Sequence, residues 1–195
     1  MNRIGVLVSG GGTNLQAIID GCESGHIPDS RVAVVISNRK DAYALERAKK
    51  HDIRGVYLER KDCESAALYF EAVKKELEKE KVDLVCLAGF LLKLEPNIVR
   101  GFKGRIMNIH PALLPKFGGP GMYGHHVHEA VIKAGEKESG CTVHFVDEIY
   151  DHGKIALQAR VPVMENDTPD ELAARILKEE HRIYPEAIKL FFEKR

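Results

Sequence analysis

The sequence predicts an α/β fold: a mostly parallel sheet of about seven strands, with helices on both faces and an antiparallel hairpin near the C-terminal part. Three observations carry that expectation. The chain opens with a β-branched run, a triple glycine and a helical pattern, the strand–turn–helix start of a nucleotide-type domain. Runs such as Val32-Ala33-Val34-Val35-Ile36 are continuously apolar, as strands buried on both faces are, and they alternate with charged helical patterns. The last two strand-like runs, 140–146 and 155–163, alternate in polarity and are joined by the short acidic loop 147–154, which reads as an antiparallel pair.

In chain order, residues 3–9 carry Ile4, Val6 and Val8 and stop at Gly10-Gly11-Gly12. Thr13 and Asn14 are expected to cap a helix with Leu15, Ala17, Ile18 and Ile19 on its apolar side. A charged helix over 41–50 and a short strand over 56–58 follow the second strand. Residues 66–80 predict a long helix with Leu68, Val73 and Leu77 inward and Lys/Glu outward at ion-pair spacing. Residues 82–88 are the fourth strand, Pro96 opens a short helix, and 105–109 are the fifth strand. The Gly- and Pro-dense stretch 115–126 reads as an irregular loop, followed by a short helix over 127–134. Thr168-Pro169-Asp170-Glu171 is a capping box with proline at the first helical position. The helix it starts carries Leu172, Ile176, Ile183, Ile188 and Leu190, and Pro185 is predicted to kink or divide it near 183–184.

With 195 residues and no composition break, a single domain spanning 1–195 is expected, large enough to bury a core without disulfides. The 29 basic and 29 acidic residues cancel and form no basic block, so no nucleic-acid partner is expected. Cys22, Cys63, Cys86 and Cys141 are widely spaced, and Cys86 and Cys141 sit in apolar runs that favour buried, reduced thiols. The N-terminus lacks signal-peptide organisation, and no apolar run nears the ~20 residues that span a bilayer. A cytoplasmic protein without a membrane partner is expected, and a homodimer stays open.

Chemistry is concentrated at the end of the fifth strand, in Asn108-Ile109-His110-Pro111. Residues two apart in a strand share a face, so Asn108 and His110 project together where the chain leaves the sheet. An amide donor beside an imidazole suits a reaction that passes through an oxyanion; a core histidine and a turn asparagine would show the same spacing. The turn at Gly12, Thr13 and Asn14 fits either a phosphate at a helix N-terminus or a tight turn with a cap. It matches neither the Gly-x-Gly-x-x-Gly nor the Gly-x-x-x-x-Gly-Lys pattern. A carboxylate from the loop 147–154, Asp151 for example, would favour the charged form of His110 if it lay nearby. His125, His126, His128 and His144 form a histidine-rich set without Cys or acidic partners at locked spacing, so no metal is expected.

Taken together, Ser9-Gly10-Gly11-Gly12-Thr13-Asn14-Leu15-Gln16, Leu87-Ala88-Gly89-Phe90, Asn108-Ile109-His110-Pro111-Ala112-Leu113-Leu114-Pro115, the segment 140–146, Asp151-x-Gly153 and Glu180-His181-x-x-Tyr184-Pro185 resemble the phosphoribosylglycinamide formyltransferases. The resemblance covers essentially the whole chain, in the family's order. It implies a Rossmann-like formyltransferase fold and transfer of the formyl group of 10-formyltetrahydrofolate, as co-substrate, to the amine of 5-phosphoribosylglycinamide. Asn108, His110 and Asp151 match the catalytic trio. Gly12, Thr13, Asn14 and Glu180 match the ribonucleotide site. Leu91, Leu92, Lys93 and Leu94, with Asn108 and the loop Asp147, Glu148, Ile149, Tyr150 and Asp151, match the folate pocket. Departures from the family pattern are extra residues in 117–124, Leu91-Leu92 where many members have Met-Arg, and Lys178 beside the expected basic position. His152 likewise replaces a Gly or Ala. Two related readings, a formyltetrahydrofolate hydrolase and an initiator-tRNA formyltransferase, call for additional domains. A non-catalytic phosphate-binding module would need the glycine turn alone.

Overall fold

The structure, a computed structural model, describes residues 1–194. Its strands are β1 (Asn2–Val8), β2 (Ser30–Ser37), β3 (Arg54–Tyr57), β4 (Leu84–Leu87), β5 (Ile106–His110), β6 (Glu138–Phe145) and β7 (Ile155–Pro162). They form one seven-stranded sheet in the order β3-β2-β1-β4-β5-β6-β7. The first five strands pair in parallel, and β5–β6 and β6–β7 pair antiparallel. The strand order reverses between β1 and β4, and in open α/β sheets the crevice beyond such a switch point is where ligands sit.

The helices are α1 (Thr13–Glu23), α2 (Tyr43–Lys50), α3 (Ala66–Lys79), α4 (Pro96–Gly101), α5 (His125–Lys133) and α6 (Pro169–Glu193). The pleat sorts the core between two faces. Ile4, Val6 and Val8 join Leu15 and Ile18 of α1 and Ile176 and Ile188 of α6 on one side. Leu7, Val34 and Val85 join Phe70, Val73 and Leu77 of α3 and Ile98 of α4 on the other. Leu68 does not turn inward as expected. It is 53% exposed, and Tyr69 and Phe70 take that face. Among the described residues no helix is long and apolar enough to cross a membrane.

Two further expectations need correction. Thr13 and Asn14 do not cap α1: Gly12 is its N-cap, in the left-handed conformation, and makes no side-chain cap bond. Pro185 does not divide α6, which runs unbroken for 25 residues. The ring is buried, and a methyl group added at Gly21 of α1 would lie 3.2 Å from Pro185 Cβ. Close packing of the two helices there offsets the hydrogen bond that a proline cannot make. The next-door residue, Tyr184, is fully buried and places its hydroxyl 3.0 Å from both the Leu87 and the Met107 carbonyls, so α6 holds β4 and β5 together below the site. The capping box at Thr168 and Glu171 forms as predicted, and α5 starts at His125, inside the stretch expected to be irregular.

Candidate active site

Asn108 and His110 lie at the carboxyl end of β5, and the loop after β6 brings Asp151 to them. His110 is 3% exposed, and its Nδ1 lies 3.8 Å from Asp151 Oδ2. The approach of the loop depends on Gly153, where any Cβ would fall 1.8 Å from the Phe145 carbonyl oxygen. That gives the Asp151-x-Gly153 spacing a steric cause. Asp151 itself adopts a left-handed backbone, φ 50°, which Asp tolerates better than most residues. The loop after Pro115 closes the other side. Gly119 N–H donates to Asp151 Oδ2 at 2.8 Å, and the Phe117 carbonyl lies 2.7 Å from His110 Nε2.

Because a carbonyl oxygen only accepts, the Phe117 contact places a proton on His110 Nε2 and leaves Nδ1 as the nitrogen that faces Asp151. Phe117 holds this position at φ 54°, a conformation costly for a bulky residue and of the kind found at functional sites. The same logic applies to His144, buried on β6. Its Nδ1 donates to the Phe145 carbonyl at 3.0 Å, so in the neutral ring Nε2 accepts from Asn108 Nδ2 at 3.2 Å. One Asn108 N–H is thereby held, and the second is left for a ligand. His144 Nε2 also lies 3.5 Å from Asp151 Oδ1 and donates to it when the ring carries its second proton.

Burial lowers the His110 pKa below the ordinary histidine value. The Asp151 charge and the Phe117 hydrogen bond pull it up, and nearby His144 pushes it down further. Asp151 favours the charged form of His110, as expected of a nearby carboxylate, but desolvation of a ring 3% exposed outweighs it and the net shift is downward. Asp151 goes the other way from its burial. Desolvation raises it, yet hydrogen bonds from His144 and Gly119 N–H and the charges of His110 and His144 bring it below the usual carboxylate value. At neutral pH the pair is a neutral imidazole beside a carboxylate.

Two cavities meet at this trio and share Phe90, Asn108, Tyr150 and Asp151 as walls. The larger, about 490 Å³, runs from His110 to Asn14 and Glu180. There Asn14 Nδ2 donates to Glu180 Oε2 at 2.7 Å, linking α1 to α6, and burial holds Glu180 above the ordinary glutamate pKa against that hydrogen bond. The other is lined by Leu92, Lys93, Leu94, Asp147, Glu148, Ile149 and Tyr150. Leu91 borders the larger cavity instead. Gly12 is buried at the turn, and Thr13 is exposed beside a separate shallow groove with Arg47 and His181. Lys178 is exposed, while Leu177 faces the larger cavity. His152 pairs with Asp147 at 3.1 Å, and His125 pairs with Glu129 and Asp170. His125, His126, His128 and His144 do not assemble: His144 lies with Asn108 and Asp151, and His128 lines the larger cavity.

Sequence reasoning missed His144 as a partner of Asn108 and Asp151. It also missed Thr142, which donates to the Ala112 carbonyl at 2.7 Å and accepts from Leu114 N–H at 3.1 Å, fixing the chain after Pro111. The available signal was parity: Thr142 and His144 are the polar members of a strand whose alternate members Cys141 and Val143 are apolar and buried in the core.

A polar trio at the strand ends of an open α/β sheet, set where two cavities join, defines an enzyme that brings two ligands together for group transfer. Residues 2–188 match the formyl transferase family, and the chain belongs to it. The phosphoribosylglycinamide formyltransferase of Haemophilus influenzae is 46% identical over 195 residues, covering 100% of this chain and 89% of that protein. The crystal structure of glycinamide ribonucleotide transformylase 1 from Symbiobacterium toebii superposes with a TM-score of 0.95 at 50% identity, over 100% of this chain and 89% of the other. That of phosphoribosylglycinamide formyltransferase from Bacillus halodurans gives a TM-score of 0.92 at 37% identity, over 99% and 96%.

Proposed function

We propose that this chain transfers the formyl group of 10-formyltetrahydrofolate to the primary amine of 5-phosphoribosylglycinamide, a step of de novo purine biosynthesis. The observation that carries the reading is the trio Asn108, His110 and Asp151 at the junction of two cavities. The ribonucleotide is assigned to the cavity that ends at Asn14 and Glu180, with the turn at Gly12 and Thr13 offering backbone N–H groups to its phosphate. The pterin is assigned to the cavity between Leu92, Lys93 and Leu94 and the loop from Asp147 to Asp151. Relatives whose names carry this activity at 46% identity over the full chain support the choice of substrates.

The residues suit a direct attack. The amine lone pair forms the new C–N bond, and the carbonyl electron pair moves onto the formyl oxygen. The uncommitted Asn108 N–H is suited to that oxygen, and such a donor is typically worth about 3 kcal/mol in the transition state. His110 Nδ1, neutral by burial, takes the proton that the amine sheds, and Asp151 stabilises the imidazolium so formed. The same proton then leaves with the folate nitrogen as its bond to carbon breaks, which returns His110 to its starting state. The chemistry calls on no metal.

Steady-state turnover with both substrates tests the reading, and its absence in folded protein would end it. His110→Ala is expected to lower kcat by at least about a hundredfold while ribonucleotide binding is largely kept. Unchanged turnover would remove His110 from the mechanism.

A further inference from the structure

The larger cavity contains an imidazole that the formyl-transfer chemistry leaves unused. His128 on α5 is 5% exposed and lines this cavity, and neither ring nitrogen has a hydrogen-bond partner in the protein. Its neighbours differ: His125 pairs with Glu129 and Asp170, and His126 with Glu129. The Nδ1 atom of His128 is fully enclosed. An enclosed N–H without an acceptor is rarer in native structures than an enclosed lone pair, so the ring proton belongs on Nε2. Burial, helped by the charges of His125 and His110 and opposed by Asp170, lowers the pKa of the ring and keeps it neutral. The result is a single neutral donor in the cavity wall with no protein acceptor.

We infer that His128 donates a hydrogen bond from Nε2 to an oxygen of the phosphorylated sugar, and so sets affinity for the amine substrate and not for the formyl donor. The choice follows from position. His128 lines the cavity that ends at Asn14 and Glu180, and the adjoining cavity between Leu92 and Tyr150 does not include it. Nε2, unlike Nδ1, is not among the enclosed atoms, and its N–H has no acceptor in the protein, so an oxygen of a ligand held in this cavity is the partner open to it. The inference rests on the proposed substrates.

Two variants test it. His128→Leu removes the donor together with the orphaned nitrogen and keeps a side chain of similar bulk; His128→Gln returns a donor near the Nε2 position. In His128→Leu the KM for the ribonucleotide should rise about tenfold, with kcat and the KM for the formyl donor nearly unchanged, and His128→Gln should recover most of the loss. The melting temperature of His128→Leu should equal or exceed that of the wild type. An unchanged ribonucleotide KM, or equal rises in both KM values, would overturn the inference. So would a lower melting temperature in His128→Leu joined to full ribonucleotide affinity in both variants. If the wild type binds the ribonucleotide but does not turn it over, the formyl-transfer reading fails on its own, and the equilibrium Kd of wild type against His128→Leu still decides His128.

Discussion

Replacing Asp151 with asparagine separates the electrostatic role of this carboxylate from its structural one. The variant keeps an oxygen for Gly119 N–H, now held at 2.8 Å by Oδ2, and it keeps the shape of the side chain. It removes the negative charge 3.8 Å from His110 Nδ1. At an effective dielectric of about 20, two unit charges at that separation interact by about 4 kcal/mol. The Asp151 side chain is 8% exposed, so solvent screens little of this. If the imidazolium is fully formed in the transition state, kcat should fall by up to about a thousandfold, while the KM values change little. The pH profile supplies a second readout with a definite sign. Burial already lowers the His110 pKa and the Asp151 charge is the largest influence opposing it, so removing that charge lowers the pKa further. The acid limb of kcat/KM, which marks loss of the neutral base, should therefore move to lower pH in Asp151→Asn. The same linkage applies to stability. A histidine whose folded pKa lies below its unfolded value loses stability as pH falls through the interval between the two, and the variant should extend that loss to more acidic pH. Turnover measured across the acid and neutral range, with thermal melting at each pH, provides both readouts. Retention of more than about a tenth of kcat, or an acid limb that moves upward, would refute the assignment of Asp151 as the partner of a charged His110.

Two further changes probe the scaffold. Gly12→Ala places a Cβ 2.7 Å from Ala44 Cβ and 3.0 Å from Ala44 Cα at φ 71°; the left-handed backbone alone costs about 1–2 kcal/mol. Urea unfolding should show at least that loss, and the ribonucleotide KM should rise more than the formyl-donor KM if, as proposed, the turn holds the phosphate of the ribonucleotide. Tyr184→Phe removes the hydroxyl that reaches the Leu87 and Met107 carbonyls. It should cost about 1–3 kcal/mol in chemical denaturation, with turnover at saturation little changed, since the residue lies below the site and touches neither cavity.

How much of the site could be read from the sequence depends on which contacts are local. The pair Asn108 and His110 was legible because strand periodicity is a local property: a polar-apolar-polar triplet ending an apolar run can point only one way. The glycine turn was legible for the same reason, although its cap was misassigned. Asn14 is drawn away from the helix end by Glu180, a residue at the other end of the chain. Pro185 was misread because helix propensity was weighed without the tertiary packing against Gly21.

His144 shows where local reading stops. In an antiparallel pair, residues directly opposite each other share a face, and β5 pairs with β6 so that Asn108 faces His144 and His110 faces Thr142. Given that register, both missed residues follow at once, and so does the position of Asp151, because Gly153 returns the next loop against Phe145. What the sequence lacked was the pairing, not the chemistry. The protonation of His110 was harder still. The residue types present argue for a carboxylate raising an imidazole, and both groups are in place. The sign of the net shift depends on whether a charge at 3.8 Å outweighs removal from water of a ring 3% exposed. That is a contest of magnitudes set by depth of burial, and here burial wins. The consequence for the proposed mechanism is that His110 enters the reaction as a base with its proton acceptor at Nδ1, held in that tautomer by the Phe117 carbonyl. In that mechanism the loop that supplies the carbonyl belongs to the proton-transfer apparatus, and its residues 119–124 also line the larger cavity.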